Sequence, residues 1–290
     1  MKEIVIISGK GGTGKTSITA SFAALADKCV TVDCDVDAAD LHILLNPEIK
    51  KQSRFVSGKL ASIDQQLCTD CGKCFAKCNF EAIRQNGEKF YIEPSMCEGC
   101  GLCNYICPAG SIKFEARDCG EWYKSSTKYG AMFHARLGIA AENSGRLVSL
   151  IRDEAKRWAQ ETGNDLVLID GPPGTGCPVI SSISGADCVL VITEPTLSGI
   201  HDLERILDLT KHFKIDTLVA VNKFDINCEN TLKIKKMCFA SDAKYVGKIS
   251  NDQSVVDAQI QGMSIVEYGK GKCVKEIENI WFNVKNWVEQ

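Results

Sequence analysis

Eight cysteines carry the plainest chemistry in this chain. Cys68, Cys71, Cys74 and Cys78 are spaced C-x2-C-x2-C-x3-C, and Cys97, Cys100, Cys103 and Cys107 repeat that spacing 29 positions later. Ile83 and Ile112 repeat in step, so the stretch is an internal duplication. This run is the one that ligates [4Fe–4S] clusters, three closely spaced thiolates meeting one cube while the fourth serves the other cube. One cluster is expected on Cys68, Cys71, Cys74 and Cys107, the other on Cys97, Cys100, Cys103 and Cys78. Structural zinc sites use paired C-x2-C units and fit the pattern poorly. Gly72 and Gly101 suit loops in which the backbone must approach sulfur closely.

A second signal is Gly9-Lys10-Gly11-Gly12-Thr13-Gly14-Lys15-Thr16, which satisfies G-x-x-x-x-G-K-[ST] between a strand pattern and a helix pattern. Backbone N–H groups of such a loop turn inward around phosphate oxygens, and the helix start adds partial positive charge. Gly11, Gly12, Thr13, Gly14, Lys15, Thr16 and Ser17 are the expected nucleotide contacts. Lys15 is expected to reach the β- and γ-phosphates and the Thr16 hydroxyl to hold Mg²⁺. Asp33, Asp35 and Asp37 alternate after the next strand, carboxylates that repel unless a cation or water network holds them. Asp37 and Asp40 fit a solvated helix start equally well. Asp170 closes the apolar run Leu166–Ile169, at the strand end where such sheets bind ligands, and is expected to hold Mg²⁺ through water.

These residues need a frame. Hydrophobic residues make up 44% of the chain and charged ones 24%, the composition of a globular protein. Glu3–Ser8, Cys29–Val32, Leu166–Ile169, Cys188–Ile192, Thr217–Val221 and Lys244–Ile249 read as buried strands. Helical patterns follow at Thr16 onward, 198–212, 229–240, 253–261 and 273–288. Alternating β and α implies an α/β fold, a mostly parallel sheet with helices on both faces. From 61 to 114 the rhythm breaks, and a small α+β domain is expected as an insertion between 1–60 and 115–290. Trp122–Lys128 and Ala131–Leu137 read as a hairpin. The apolar runs are strand length, far short of the ~20 residues of a membrane span. The start has no signal-peptide layout, so a cytoplasmic location is expected, and with it metal-ligating or buried cysteines rather than disulfides. A net charge of −3 gives no case for nucleic-acid binding.

Lys10–Thr16 resembles the K-G-G-x-G-K-[ST] pattern of the MinD/ParA branch of P-loop ATPases, with a deviant Walker A loop, which includes the nitrogenase iron protein. Asp170–Gly176 resembles that branch's second switch. The resemblance implies that Lys10 reaches the nucleotide of a facing subunit, that Asp35 polarises the attacking water, that Asp33 is a neighbouring acid, and that Asn222 contacts adenine. The cysteine segment resembles two-cluster bacterial ferredoxins, with Asn79 where a proline is usual and Pro108 keeping it. Together they resemble MinD-superfamily ATPases with an inserted ferredoxin domain, over nearly the whole chain. What this implies is ATP and Mg²⁺ binding, slow partner-stimulated ATP hydrolysis, a homodimer closed by ATP, and electron transfer through two [4Fe–4S] clusters to a redox or iron–sulfur partner protein. The alternatives are a cluster carrier or assembly factor, and a positioning protein using the ferredoxin as a sensor.

Cys177 lies seven residues after Asp170, as does a cluster ligand of the nitrogenase iron protein. The second cysteine of that protein has Ser144 in its place, within Asn143–Arg146, so a bridging cluster is not expected. Cys29, Cys34, Cys188, Cys228, Cys238 and Cys273 read as buried small hydrophobes. Val274, Ile277, Trp281, Val284 and Val288 form one helix face without the basic opposite face of a lipid-binding helix, so packing on the sheet is expected. His42, His134, His201 and His212 form no spaced pair and are given no metal role.

Overall fold

A computed structural model describes residues 1–26, 28–138 and 144–288. The strands are β1 (Lys2–Ser8), β2 (Val30–Asp33), β3 (Glu48–Ile63), β4 (Ile83–Asn86), β5 (Lys89–Ile92), β6 (Ile112–Thr127), β7 (Gly130–Leu137), β8 (Leu166–Pro173), β9 (Cys188–Thr193), β10 (Asp216–Val221) and β11 (Lys244–Lys248). Nine of them form one sheet in the order β11-β10-β9-β1-β8-β2-β7-β6-β3, while β4 and β5 form an antiparallel ribbon of their own. Every pairing from β11 across to β7 is parallel.

The parallel strands are those whose sequences are continuously apolar. β1 and β9 are buried almost end to end, as strands covered on both faces must be. The helix Lys15–Leu25 covers one face, where Phe22 meets Trp281 of the helix Cys273–Val288 with ring centroids 4.9 Å apart. Ile277, Trp281 and Val284 of that last helix are buried, in agreement with its apolar spacing.

Two elements were not anticipated. The helix Ser144–Thr162 buries Leu147, Val148, Ile151, Ala155 and Ala159, and with them Arg152. Arg152 and Lys156 reach the buried Glu3 carboxylate at 3.5 and 3.0 Å, so a charge stands where an apolar stripe would read as unbroken. β3 ends the sheet and is mostly exposed; its lysines and arginine are what a charged edge strand carries, and they hide the strand from a search for apolar runs. The expected hairpin is present as the end of β6 and β7, joined by Lys128 and Tyr129.

The chain divides into two compact units. One comprises Met1–Ser53, Trp122–Arg136 and the chain from Ser144 onward; the other comprises Arg54–Glu121 with Leu137 and Gly138 among the described residues. The smaller unit is wider than the 61–114 expected, because β3 and β6 are each 16 residues long and start and end beyond the cysteine segment. No helix among the described residues is long and apolar enough to cross a membrane.

Candidate functional site

In the larger unit, the chemistry gathers at the carboxyl ends of β1, β2 and β8. β8 lies between the other two, so Asp170 pairs in register with Ile6 on one side and Asp33 on the other. Gly14, at φ 89°, starts the helix Lys15–Leu25. A Cβ there would stand 2.6 Å from Asn222 Nδ2, so both conformation and space require glycine. A Cβ on Gly11 or Gly12 would meet nothing within 4 Å, and the loop therefore faces open space. Gly12, Gly14, Lys15, Thr16, Ser17, Asp40, Ile43, Leu44 and Gln259 line a cavity of about 470 Å³. The Thr13 hydroxyl is buried with no hydrogen-bond partner, a donor left for something outside the chain.

Electrostatics bind the acids to the loop. Burial pushes the Asp170 carboxyl up to about 6, against the charge of Lys15 and hydrogen bonds from Thr16 and Thr19; the Thr19 hydroxyl stands at 3.0 Å. Asp33 is fully buried, and burial with the charge of Asp170 raises it well above the usual carboxylate range. It accepts the backbone N–H groups of Asp35 and Leu41, both at 3.1 Å, and so shapes the loop that carries Asp35 and Asp40. Burial also raises Asp35, which Lys15 opposes and Asp37 and Asp40 reinforce. Burial is the largest cause in all three, and Lys15 opposes it at Asp35 and Asp170.

Lys10 and Asn222 are otherwise engaged in the single chain. Lys10 Nζ donates to Ser198 Oγ at 3.0 Å and lies 4.0 Å from Glu194, which also binds Lys223 at 2.6 Å. Asn222 Nδ2 donates to the Thr13 carbonyl at 2.8 Å and its Oδ1 accepts the Lys223 N–H, so its amide braces the phosphate loop from behind. An adenine contact by Asn222 would compete with both bonds.

In the smaller unit, the eight cysteines sort into two cavities. Cys68, Cys71, Cys74 and Cys107 line one, walled by Ile63, Phe90, Pro108 and Ile112. Cys78, Cys97, Cys100 and Cys103 line the other, walled by Ile83, Ile92, Phe80 and Phe114. Each set takes three cysteines from one repeat and one from the other. Gly72 and Gly101, at φ 67° and 84°, start the short helices Lys73–Lys77 and Leu102–Ile106 that bring the third cysteine and the crossing fourth to each repeat. Among the described residues no three histidine, cysteine or carboxylate side chains are placed to hold a metal ion, so the cysteines ring cavities rather than converge on a point. The expected Mg²⁺ ligands Thr16, Asp35 and Asp170 likewise stand as neighbours and not as a closed coordination set.

Residues 4–265 match the CobQ/CobB/MinD/ParA nucleotide-binding domain. The chain belongs to that family. An uncharacterised protein of Methanocaldococcus jannaschii is 36% identical to this family member over 228 residues, 78% of this chain and 79% of that protein. The MinD septum site-determining protein of Pyrococcus horikoshii, solved with Mg-ADP, has a TM-score of 0.57 at 17% identity over 99% of this chain and 96% of its own. Subunit IorA of the indolepyruvate oxidoreductase of Methanothermobacter marburgensis is 36% identical over 62 residues, 21% of this chain and 10% of that subunit.

As a MinD/ParA-type P-loop protein, the chain is an ATPase. The fold brings Lys15, Thr16, Asp33, Asp35 and Asp170 of this ATPase together from three separate stretches of sequence. Sequence reasoning missed Thr19 and Gln259 as parts of the corner, and Asp40, whose position in the sequence fits a solvated helix start equally well, lines the cavity. Gln259 donates to Ser17 Oγ at 2.8 Å, a tie across 242 residues that no local pattern announces. His42 and His134, unrelated in spacing, stack with centroids 6.5 Å apart. Cys177 is exposed at the first position of the helix Cys177–Ile183. Asn143 of the segment compared with a second ligand lies outside the described residues, and Gly145 packs against the Cys177 carbonyl. Cys29, Cys34, Cys188, Cys238 and Cys273 are buried as expected, and burial pushes Cys29 up to about 12, an inert thiol. Cys228 is exposed, contrary to expectation, because it opens the helix Cys228–Ala240 instead of lying on its inner face.

Proposed function

We propose that this ATPase is a nucleotide-driven dimeric switch that passes electrons through two [4Fe–4S] clusters to a partner redox protein. The carrying observation is the sorting of the eight cysteines into two cavities with four thiols each, crossed between the repeats. Four thiolates and an apolar wall are the donor set for a cubane, whose ligands bind four different irons and so stand apart instead of meeting at one point. The clusters would supply one-electron transfer. The likeness to an oxidoreductase subunit over 62 residues points the same way.

At the other site, Gly11–Ser17 would cradle the phosphates, Lys15 would neutralise the β- and γ-phosphates, and Thr16, Asp35 and Asp170 would surround Mg²⁺. Asp35, half-buried and linked to Lys15, would orient the attacking water. Lys10 would leave Ser198 and Glu194 to reach the nucleotide of a second copy, adding charge where it develops in phosphoryl transfer. Mg-ADP in the structurally similar MinD supports this assignment of the loop.

The test is anaerobic purification followed by iron and sulfide analysis, ATP turnover, and redox titration with and without ATP. Two clusters per chain whose potentials move when ATP binds are expected, because linkage makes ATP affinity depend on redox state. Clusters indifferent to ATP but passed to an apo-acceptor in its presence would replace this reading with a carrier. The full-length likeness to MinD favours one second reading, a positioning protein in which the clusters only sense; it would show as ATP-dependent assembly that responds to cluster oxidation without electron transfer.

A further inference from the structure

The two cysteine cavities arise from one duplicated half, so all eight cysteines, Ile63 with Ile92, Ile83 with Ile112 and Ala82 with Ser111 are paired 29 positions apart across the two walls. The counterparts differ at one buried polar position. Ser111 lines the cavity of Cys68, Cys71, Cys74 and Cys107; its counterpart, Ala82, lines the cavity of Cys78, Cys97, Cys100 and Cys103. Ser111 is 1% exposed, and its Oγ lies 3.3 Å from Cys107 Sγ. An iron-bound cysteine sulfur has no proton, so in that state only the hydroxyl can donate. Ala82 has no side-chain donor for Cys78. The exposed ionisable residues lean the same way: Lys73 alone lines the first cavity beside its cysteines, whereas Lys77 and Glu98 offset each other in the second.

Resting on the cluster reading above, we propose that Ser111 sets the order of the two centres, making the site of Cys68, Cys71, Cys74 and Cys107 the more readily reduced. One-electron reduction puts negative charge on the cysteine sulfurs. A hydrogen bond to such a sulfur strengthens as that charge grows, most in a site closed to water, and so stabilises the reduced form. An electron from a low-potential one-electron donor therefore settles on the Ser111 side. Ser111 acts through Cys107 and is a positioning residue.

The experiment is an EPR-monitored redox titration of the full chain with both clusters in place, using dithionite and mediators, beside iron and sulfide analysis of each sample. Two separate one-electron steps are expected in the wild type. Ser111→Ala should lower the upper step by roughly tenfold in its equilibrium constant, about 59 mV for a one-electron couple, and leave the lower step in place. Ser111→Thr keeps the hydroxyl and should keep the wild-type value. Ala82→Ser should raise the lower step, and the double exchange should close or invert the gap. An upper step that ignores Ser111→Ala in a fully loaded protein, or a shift of the lower step instead, overturns the assignment. A chain that holds no iron and sulfide under reconstitution overturns the cluster reading itself, and the metal analysis separates that failure from the first.

Discussion

The nucleotide corner and the cysteine unit are supported in opposite ways. The corner stands on a continuous buried core in which Ile4, Ile6, Phe22, Leu168 and Leu190 pack from strand to helix. Its acids are locked by hydrogen bonds from Thr19, Asp35 and Leu41 before any ligand arrives. In the cysteine unit Ala61, Ala82, Cys97 and Ile112 form one cluster with Cys74, Cys78, Cys103 and Cys107 only partly buried around it, and Phe55, Ile83, Phe90 and Cys119 are buried besides. So few buried side chains contribute less against the entropy of ordering some seventy residues, roughly 1 kcal/mol or more for each backbone. One site is held by its fold; on the proposed reading the other would be held by the clusters that fill it.

If the proposed clusters are present, the harshest way to break this contrast is to remove their iron. Chelation under reducing conditions should expose the segment from Arg54 to Glu121 to proteolysis while the remainder keeps its protection and its ATP binding. A cysteine unit as resistant as before, after complete iron loss, would erase the distinction. Next in size is Lys15→Ala, expected to cut ATP turnover by about 10³ without changing the melting temperature if the lysine serves the phosphates as proposed. Lys10→Ala should cost about 10² in turnover and spare ATP affinity if Lys10, which rests on Ser198 and Glu194, acts on the nucleotide of a second copy as proposed; equal loss of binding and turnover would place it in the resting site.

A titration sharpens the comparison further. Asp170 rises from its ordinary 3.8 to about 6 in the fold, so its ionisation costs the nucleotide-free protein. Stability from the protonated carboxyl is full below about 4 and is lost as pH rises through about 6. If Asp170 holds Mg²⁺ as proposed, Mg-nucleotide binding needs the ionised form, so its affinity should fall as pH drops through about 6, measured by calorimetry, and Asp170→Asn should flatten that dependence. The smallest effect is Asn222→Ala, which frees the Thr13 carbonyl and should destabilise the protein by about 1–2 kcal/mol in denaturant unfolding.

Contiguous features were legible from the residues alone. Lys10–Thr16 announces its strand, turn and helix because three glycines and a lysine at fixed spacing serve backbone geometry directly. The parallel strands β1, β8, β9 and β10 announce themselves because burial on both faces demands unbroken apolar runs. β3 and the helix Ser144–Thr162 stayed hidden, since an edge strand may be charged and a buried arginine can be matched by a buried Glu3. The same limit holds in the corner: Gln259 braces Ser17, and Asn222 braces Thr13, through bonds between residues more than 200 positions apart.

The amino-acid sequence by itself determined the phosphate loop, the acids that follow two strands and the duplicated cysteine spacing, because local geometry and ligand valence act over a few residues. Only the tertiary structure decided that Asp33 and Asp170 share one buried register pair, that Lys10 rests on Glu194, and that Ser111 alone of its repeated pair carries a hydroxyl to a cysteine sulfur. Those outcomes depend on strand order and on distances across the fold, which spacing along a chain does not contain.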